Sequence, residues 1–174
     1  MRWAGSRPEH AMSEGSSGAG FALGRARSEN RPRWVLDTNV VLDWLIFDDA
    51  AMRAPGASLQ DGLARWIATA AMREEALEVA ARAIFSKRGP ANALCDRVAQ
   101  GYARYAQHIA STAPSSLICA DPDDQMFIDL ALQQEAQWLL TRDKALLALA
   151  SPALARGLRI ARPQDIDIAA WLAA

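Results

Sequence analysis

The sequence has few of the residues that metal-binding and redox proteins commonly use. It contains two cysteines, Cys95 and Cys119, and two histidines, His10 and His108, and none of them form a zinc-site spacing. These counts exclude a structural zinc site and a disulfide framework, and isolated thiols are typical of a protein in the reducing cytoplasm. No run of about 18 apolar residues is present, which excludes a membrane-spanning helix.

Several catalytic motifs are also absent. The chain has no Gly-rich phosphate loop, no Gly-x-Ser-x-Gly sequence and no cysteine in a recognisable frame with a histidine. Arg2 and Arg7 near the N-terminus are not followed by an apolar segment, so we expect no signal peptide. These absences argue against Walker-type nucleotide enzymes and against the common serine and cysteine hydrolases.

What is present is the composition of a globular protein with an uneven charge distribution. Of 174 residues, 51% are hydrophobic and 22% charged, and the formal net charge is −1. Residues 1–33 carry six arginines against three glutamates, which leaves a net charge of −4 on the remainder. Such an acidic part binds nucleic acid poorly by bulk electrostatics, so any such contact should be local or bridged by cations.

The first 32 residues differ in composition from the rest. They are rich in Gly, Ser and Arg and show almost no apolar periodicity, which predicts a disordered tail, residues 1–32. A start codon upstream of the functional protein is one explanation for such a tail, and a functional arm is the other. We expect residues 33–174 to form a single domain.

Short apolar strands alternate with amphipathic helices from Arg33 onward. The predicted strands are WVLD at 34–37, RWIAT at 65–69, QWLLT at 137–141 and GLRIA at 157–161. Helical periodicity predicts helices over 38–47, 70–85 and 121–136 and one continuous helix over 91–111, with a Pro-Gly turn at 55–56. The alternation predicts one α/β domain with a mainly parallel sheet.

Two of these strands end in an acidic segment. Asp37 follows the first strand and Asp143 follows QWLLT, so both should lie at the carboxyl edge of the sheet, where such folds place their functional crevice. Each residue has a structural alternative, because either aspartate, or Thr38, could simply cap the next helix and stabilise it by about 1 kcal/mol.

Two further acids are predicted to face inward. In DPDDQMFIDLAL, Asp121 is predicted as a helix N-cap, while Asp124 shares a face with the apolar residues and Asp129 falls on the opposite, solvated face. A carboxylate on an inward face needs a partner to offset its desolvation. In the helix from Ala70, periodicity favours Glu75 over Glu78 clearly, and over Glu74 only mildly.

If Asp37, Glu75, Asp124 and Asp143 converge, they need a cation. Two carboxylates 4 Å apart repel by about 4 kcal/mol at an effective dielectric near 20. A cluster with oxygen ligands only, and no cysteine or histidine nearby, predicts Mg²⁺ or Mn²⁺. Thr38 and Asn39 would then support Asp37 by hydrogen bonds.

The ordered set VLDTNVVLDWL, ATAAMREEALEVAAR, DPDDQMFIDLAL, LLTRDKALLAL and GLRIARPQDI resembles the PIN domain family from about Arg33 to Ala174. Within that family it is most similar to bacterial PIN proteins of toxin–antitoxin pairs, relatives of the VapC-type toxins. The resemblance implies a three-layer α/β/α fold whose central, mainly parallel sheet has four to five strands.

The resemblance also implies an activity and a set of site residues. PIN domains are Mg²⁺- or Mn²⁺-dependent nucleases, mostly ribonucleases, and their acids fall here on Asp37, Glu75, Asp124 and Asp143 as catalytic metal ligands. Thr141 and Asn39 match supporting positions. The expected partners are an RNA substrate, an antitoxin protein and a second copy of the chain in a homodimer, without a membrane. Arg142 is a candidate phosphate contact, with a solvated flank as the alternative.

Two other classes remain open. An aspartyl-phosphate phosphotransferase or dehalogenase also begins with an aspartate after a strand, but it requires a second aspartate two residues later, where this chain has Asn39. A non-catalytic PIN-fold module that binds RNA or protein would have lost its metal ligands, and all four acids are present here. Metal binding by the purified protein distinguishes these classes.

Overall fold

The computed structural model describes the backbone of residues 31–172 and, apart from residues 83, 84, 86, 169 and 172, their side chains. One sheet of five parallel strands runs through this part of the chain: β1 (Arg33–Leu36), β2 (Arg65–Ala68), β3 (Ala106–His108), β4 (Trp138–Leu140) and β5 (Arg159–Ala161). Residues 1–30 of the predicted tail lie outside the described residues, so its disorder stays a prediction.

Helices connect successive strands and flank the sheet, which confirms the predicted three-layer α/β/α fold. The α-helices are α1 (Thr38–Leu42), α2 (Arg53–Gln60), α3 (Ala70–Ala80), α4 (Ala91–Tyr105), α5 (Gln125–Gln133), α6 (Lys144–Leu147), α7 (Ala150–Leu154) and α8 (Ile168–Leu172). A π-helical segment, Asp43–Phe47, extends α1, and short 3₁₀ helices occur at Ala50–Met52, Ala83–Arg88 and Pro163–Asp165. In the described part of the chain, no helix is long and apolar enough to cross a membrane.

The central strand β1 is buried on both faces. Trp34, Val35 and Leu36 are at most 1% exposed, and Trp34 lies in register with Trp66 of β2 and Trp138 of β4. A continuous apolar run is the expected pattern for a parallel strand covered by helices on both sides. This burial explains why the strands were predictable from short runs of large apolar residues.

The strand order reverses at β1. From β1 the chain proceeds outward through β2 to β3, and then returns to the other side of β1 for β4 and β5, giving the order β3-β2-β1-β4-β5. The connections after β1 and β4 therefore leave the sheet edge in different directions and open a crevice between them. The backbone N–H of Asp37 donates to the carbonyl of Leu140 (3.0 Å), so the carboxyl ends of β1 and β4 are level.

The prediction of one helix over 91–111 was wrong. Helix α4 ends at Tyr105, and residues 106–108 form β3 in register with β2, pairing Ala68 with His108. The N–H of Ile109 continues this pairing by donating to the Ala68 carbonyl (2.9 Å). The free edge of β2 offers hydrogen bonds that compete with a further helical turn, and an apolar periodicity cannot reveal such an edge.

The Pro-Gly pair is not a turn. Pro55 lies in the first turn of α2, where the missing N–H has no helical acceptor to lose, so the helix accommodates it. Gly56 lies against the indole of Trp44, and a Cβ at this position would come within 2.5 Å of the ring nitrogen. Glycine is therefore needed here for close packing rather than for a turn.

Candidate active site

Asp37 begins the site at the carboxyl end of β1. It is 2% exposed, and its Oδ1 accepts a hydrogen bond from the N–H of Val40 (2.9 Å), so it caps α1 as the structural alternative proposed. Its other oxygen, Oδ2, accepts from the Thr141 hydroxyl and from the Arg142 N–H (3.3 Å). Capping and a role in the site are thus compatible, because the two carboxylate oxygens have separate partners.

Thr141 connects the acids that follow β1 and β4. It is fully buried; its hydroxyl donates to Asp37 and accepts from the N–H of Asp143 (2.8 Å). Asp143 in turn caps α6, because its Oδ1 accepts from the N–H groups of Ala145 (2.6 Å) and Leu146 (3.4 Å). The predicted supporting residue therefore holds Asp37 and Asp143 in one hydrogen-bonded arrangement.

Asp124 joins these two acids from the start of α5. It is half-buried, and burial raises the pKa of its carboxyl to about 7, with the charges of Asp143, Asp121 and Asp37 adding to the increase. A hydrogen bond with Asp143 contributes in the same direction. Burial likewise raises the pKa of Asp37, although its hydrogen bonds oppose this. Three of the predicted acids therefore share one neighbourhood, and the charges of Asp143 and Asp37 disfavour ionisation of Asp124.

Glu75 approaches from α3. Glu75 is half-buried whereas Glu74 and Glu78 are exposed, as the helical periodicity predicted. Burial raises the pKa of Glu75, the Thr38 hydroxyl acts in the opposite direction, and the charge of Asp123 raises it further. Glu75 therefore lies beside Thr38 and the Asp121–Asp124 segment, at the border of the group formed by the three aspartates.

The two residues after Asp37 differ in their surroundings. Thr38 is buried, and its hydroxyl has no hydrogen-bond partner of normal geometry among the residues described, although it is close enough to Glu75 to affect that pKa. Asn39 is exposed, and in the described part of the chain its side chain forms no hydrogen bond. The predicted support of Asp37 by hydrogen bonds is therefore seen from the Thr141 side chain and from the backbone N–H of Asn39, and not from the side chains of Thr38 or Asn39.

The Arg142 side chain is ion-paired with two aspartates. Its Nε lies 2.5 Å from Asp43 Oδ2 and its Nη2 lies 3.2 Å from Asp49 Oδ2, while its backbone N–H donates to Asp37. With two carboxylates already neutralising the guanidinium, a phosphate contact is disfavoured. Sequence reasoning missed Asp43 and Asp49 because no local spacing connects residues about a hundred positions apart.

Two placements in the DPDDQMFIDLAL segment were wrong. Asp129 is buried rather than solvated: its Oδ1 accepts from the Ser115 N–H (2.8 Å) and from Gln125 Nε2 (2.8 Å). The preceding loop covers this face of α5, which helical phase cannot show, although the i, i+4 spacing of Gln125 and Asp129 was a usable signal. Asp121 does not cap α5, which begins at Gln125; it accepts from the Asp123 N–H (3.0 Å) in the preceding turn.

The donor set fits a hard divalent cation. In the part of the chain that the structure describes, no group of three or more Asp, Glu, His or Cys side chains is already placed to hold a metal ion. The chemistry nevertheless matches, because the clustered groups offer only oxygen atoms, and burial together with the charges of neighbouring acids raises the pKa of Asp124. A cation would offset the cost of burying these carboxylates and the repulsion between them.

Comparison with known proteins agrees with this geometry. No curated protein matches the chain significantly. The family model described as the PIN domain matches residues 33–145, which covers β1 through β4 and includes Asp37, Glu75, Asp124 and Asp143. Residues 146–174 lie outside the match, although β5 completes the sheet beside β4. The chain therefore belongs to the PIN domain family.

Proposed function

We propose that this protein is a ribonuclease that hydrolyses phosphodiester bonds with Mg²⁺ or Mn²⁺ bound by Asp37, Asp124, Asp143 and Glu75. PIN domains are generally nucleases, which supports the reaction class. The observation that carries the proposal is the convergence of Asp37, Asp124 and Asp143 where the strand order reverses, with Thr141 bridging two of them. The choice of metal and of RNA as substrate rests on donor chemistry and on the family resemblance.

The chain's own residues supply binding and orientation. Thr141 fixes one oxygen of Asp37 and the backbone of Asp143, so these acids are positioned before any ligand arrives. Asp124 and Glu75 complete the set from α5 and α3. When bound, the cation would polarise the phosphodiester and lower the pKa of an attacking water. We assign the nucleophile to water because the Thr141 hydroxyl is already donated to Asp37.

Cleavage of labelled single-stranded RNA by the purified full chain tests the proposal. We expect hydrolysis with Mg²⁺ or Mn²⁺, none after chelation, and recovery when the cation is restored. A protein that is folded and binds Mn²⁺ but leaves RNA intact would contradict the ribonuclease. If it also binds RNA without cleaving it, the protein is a non-catalytic binding module.

The cellular role we propose is that of a cytoplasmic toxin, restrained by an antitoxin protein and acting as a homodimer. This step is supported by the resemblance to toxin-type PIN proteins alone. Induced expression should arrest bacterial growth, and expression of the Asp37→Asn protein at the same level should not. Equal arrest by both proteins, or by neither, would contradict the toxin role.

The middle acid gives a paired prediction. Glu75→Gln removes a charge and keeps the shape, so it should reduce metal-dependent cleavage at least about tenfold, or roughly 1.4 kcal/mol of transition-state stabilisation. Glu74→Gln is the matched control, since Glu74 is the exposed neighbour on the same helix. Rates of the two purified variants decide the assignment, and greater damage from the Glu74 change would reverse it.

The tail gives a second prediction. Residues 1–30 are rich in Gly, Ser and Arg and show almost no apolar periodicity, so a chain beginning at Arg31 should match the full chain in melting temperature and cleavage rate. Thermal melts and initial rates measured side by side provide the check. A large loss in either would show that the Arg-rich tail stabilises the domain or recruits the substrate.

A further inference from the structure

A cavity of about 330 Å³ lies beside the acidic site, on the β2–β3 side of the sheet. It is formed where β2 ends at Ala68, by the first turns of α3, by one face of α4 and by β3. Binding cavities for small ligands begin at about 300 Å³, so this one has room for a single nucleotide and none for a duplex. We call it the Arg73 cavity.

The wall of the Arg73 cavity is rigid and largely apolar. Ala99 and Ala103 of α4 leave a shallow surface, because their side chains are methyl groups. Tyr102 is 5% exposed and held on two sides: its hydroxyl donates to the Met72 carbonyl (3.2 Å), and its ring centroid lies 4.4 Å from that of Trp66. A flat nucleobase can pack against such a surface without disturbing the fold.

The rim of the cavity is basic and polar. Arg73 extends from the first turns of α3, and His108 ends β3. Both side chains are exposed, and neither forms a hydrogen bond or an ion pair with another described residue. This distinguishes Arg73 from Arg142, whose guanidinium is taken by two aspartates. Arg73 is therefore free to meet a phosphate.

The cavity lies at the same edge of the sheet as the acidic site. Strands β1 and β2 are parallel, with Trp34 opposite Trp66, so Asp37 after β1 and Thr69 after β2 follow neighbouring strand ends, and Thr69 lines the cavity. Tyr102, which lines the cavity, also lies near Glu75 and Asp37. Burial raises the pKa of its hydroxyl most, and the charges of these two acids raise it further. A strand whose phosphodiester lies at the acids therefore runs along the edge at which the cavity lies.

We propose that the Arg73 cavity binds one unpaired nucleotide next to the scissile bond, with its base against Ala99 and Ala103 and its phosphate at Arg73. Proteins that recognise unpaired nucleotides combine a surface for the base with cations for the backbone. His108 adds an imidazole that can stack on the base or donate to the phosphate. The inference rests on the proposed function and adds to it a binding position for one nucleotide outside the acids.

Binding can be measured without cleavage in the full chain carrying Asp37→Asn, with Mg²⁺ present. The probes are fluorescein-labelled strands of about ten nucleotides, a length typical of single-strand sites: RNA, the same sequence as DNA, and the RNA duplex. Fluorescence anisotropy gives Kd for the background protein and with Arg73→Gln or Ala103→Phe added. Arg97→Gln is the matched control, since Arg97 is an exposed arginine of α4 outside the cavity.

Arg73→Gln should weaken single-stranded RNA binding about fivefold and lower the slope of log K against log salt by about 0.7, the value for one phosphate contact. Ala103→Phe fills the cavity and should weaken binding about tenfold, while Arg97→Gln stays within about twofold. The duplex should bind more weakly than the single strand. Equal affinity for DNA supports contacts to base and phosphate only, and tighter binding of RNA adds a contact to the 2′-hydroxyl.

Three outcomes would overturn the inference: no change from either cavity variant, an equal loss from Arg97→Gln, or duplex binding as tight as that of the single strand. Failure of the proposed function looks different. If the parent protein cleaves no RNA and the cavity variants still weaken single-strand binding, the nuclease is wrong and the cavity stands. If no single strand binds, both proposals fall.

Discussion

Replacing Asp37 with asparagine should reduce metal-dependent cleavage at least about a hundredfold, because even residues that only support a metal ligand contribute about 10–100-fold. Asparagine keeps an oxygen that can accept from the Val40 N–H, so the cap of α1 survives. What it removes is the charge of a carboxylate that is 2% exposed and hydrogen-bonded to Thr141. The loss should therefore appear in metal binding and rate rather than in folding.

A thermal melt separates these effects. Adding Mn²⁺ should raise the melting temperature of the parent, since a ligand that binds only the folded state stabilises it, and Asp37→Asn should blunt that rise. Without metal, the variant should melt close to the parent, because removal of a charge that burial disfavours offsets the loss of Oδ2 as acceptor for the Thr141 hydroxyl and the Arg142 N–H. Asp167→Asn is the control: Asp167 also accepts from the N–H three residues ahead, at Ala170, but is exposed near the C-terminus.

No Mn²⁺-dependent stabilisation in the parent, with its fold intact, would count heavily against the metal site. A full Mn²⁺ response in Asp37→Asn would remove Asp37 from the ligand set and leave it as a helix cap. Comparable loss of cleavage in Asp167→Asn would mean that capping, not chemistry, explains the effect.

The second large effect is a pH dependence of stability that Asp124 causes in the metal-free protein. Its pKa rises from 3.8 to about 7 on folding, so between these values the folded state binds more protons than the unfolded state. The contribution of Asp124 to stability is fully present below pH 3.8 and is lost as pH rises towards and through 7. Because Asp124 is only half-buried, solvent screening reduces this contribution to about 1 kcal/mol.

Asp124→Asn should therefore stabilise the metal-free protein at pH 8 and leave it nearly unchanged at pH 4, which flattens this part of the profile. Urea unfolding in EDTA at pH 4, 6 and 8 measures the difference, with the exposed Asp96→Asn of α4 as the control. A divalent cation should reverse the preference, because it binds the deprotonated carboxylate and competes with the proton. If the parent and Asp124→Asn profiles run parallel, neither burial nor the neighbouring acids raise the pKa of Asp124 on folding.

The strands and the phase of the helices could be read from the sequence because both follow from burial. WVL, RWIA and WLL are runs too apolar to lie anywhere but in the middle of the sheet, and these segments form β1, β2 and β4. Glu75 borders the apolar side of α3 and Glu74 does not, so their different exposure followed from the 100° step between neighbours. A parallel sheet then requires Asp37 and Asp143 to lie at the same edge.

What failed to follow from the sequence depended on partners far along the chain. Residues 106–108 have a helical pattern in the sequence, but they pair with the edge of β2 and form β3. Asp129 has the position of a solvated residue until the segment around Ser115 covers it, and Arg142 is committed to Asp43 and Asp49. In each case a hydrogen-bond partner that exists only after folding outweighs a local preference of a few tenths of a kcal/mol.

The candidate site divides in the same way. The sequence alone determined that Asp37 and Asp143 follow strands and that Glu75 rather than Glu74 borders the apolar face of its helix, because these properties depend on the local period of the chain and on the direction of parallel strands. Only the tertiary structure decided the relations between these residues. Thr141 bridges Asp37 and Asp143, the charges of these two acids raise the pKa of Asp124, and Glu75 lies at the edge of the group. Those relations depend on where the strand order reverses, and this reversal brings residues about a hundred positions apart within hydrogen-bonding distance.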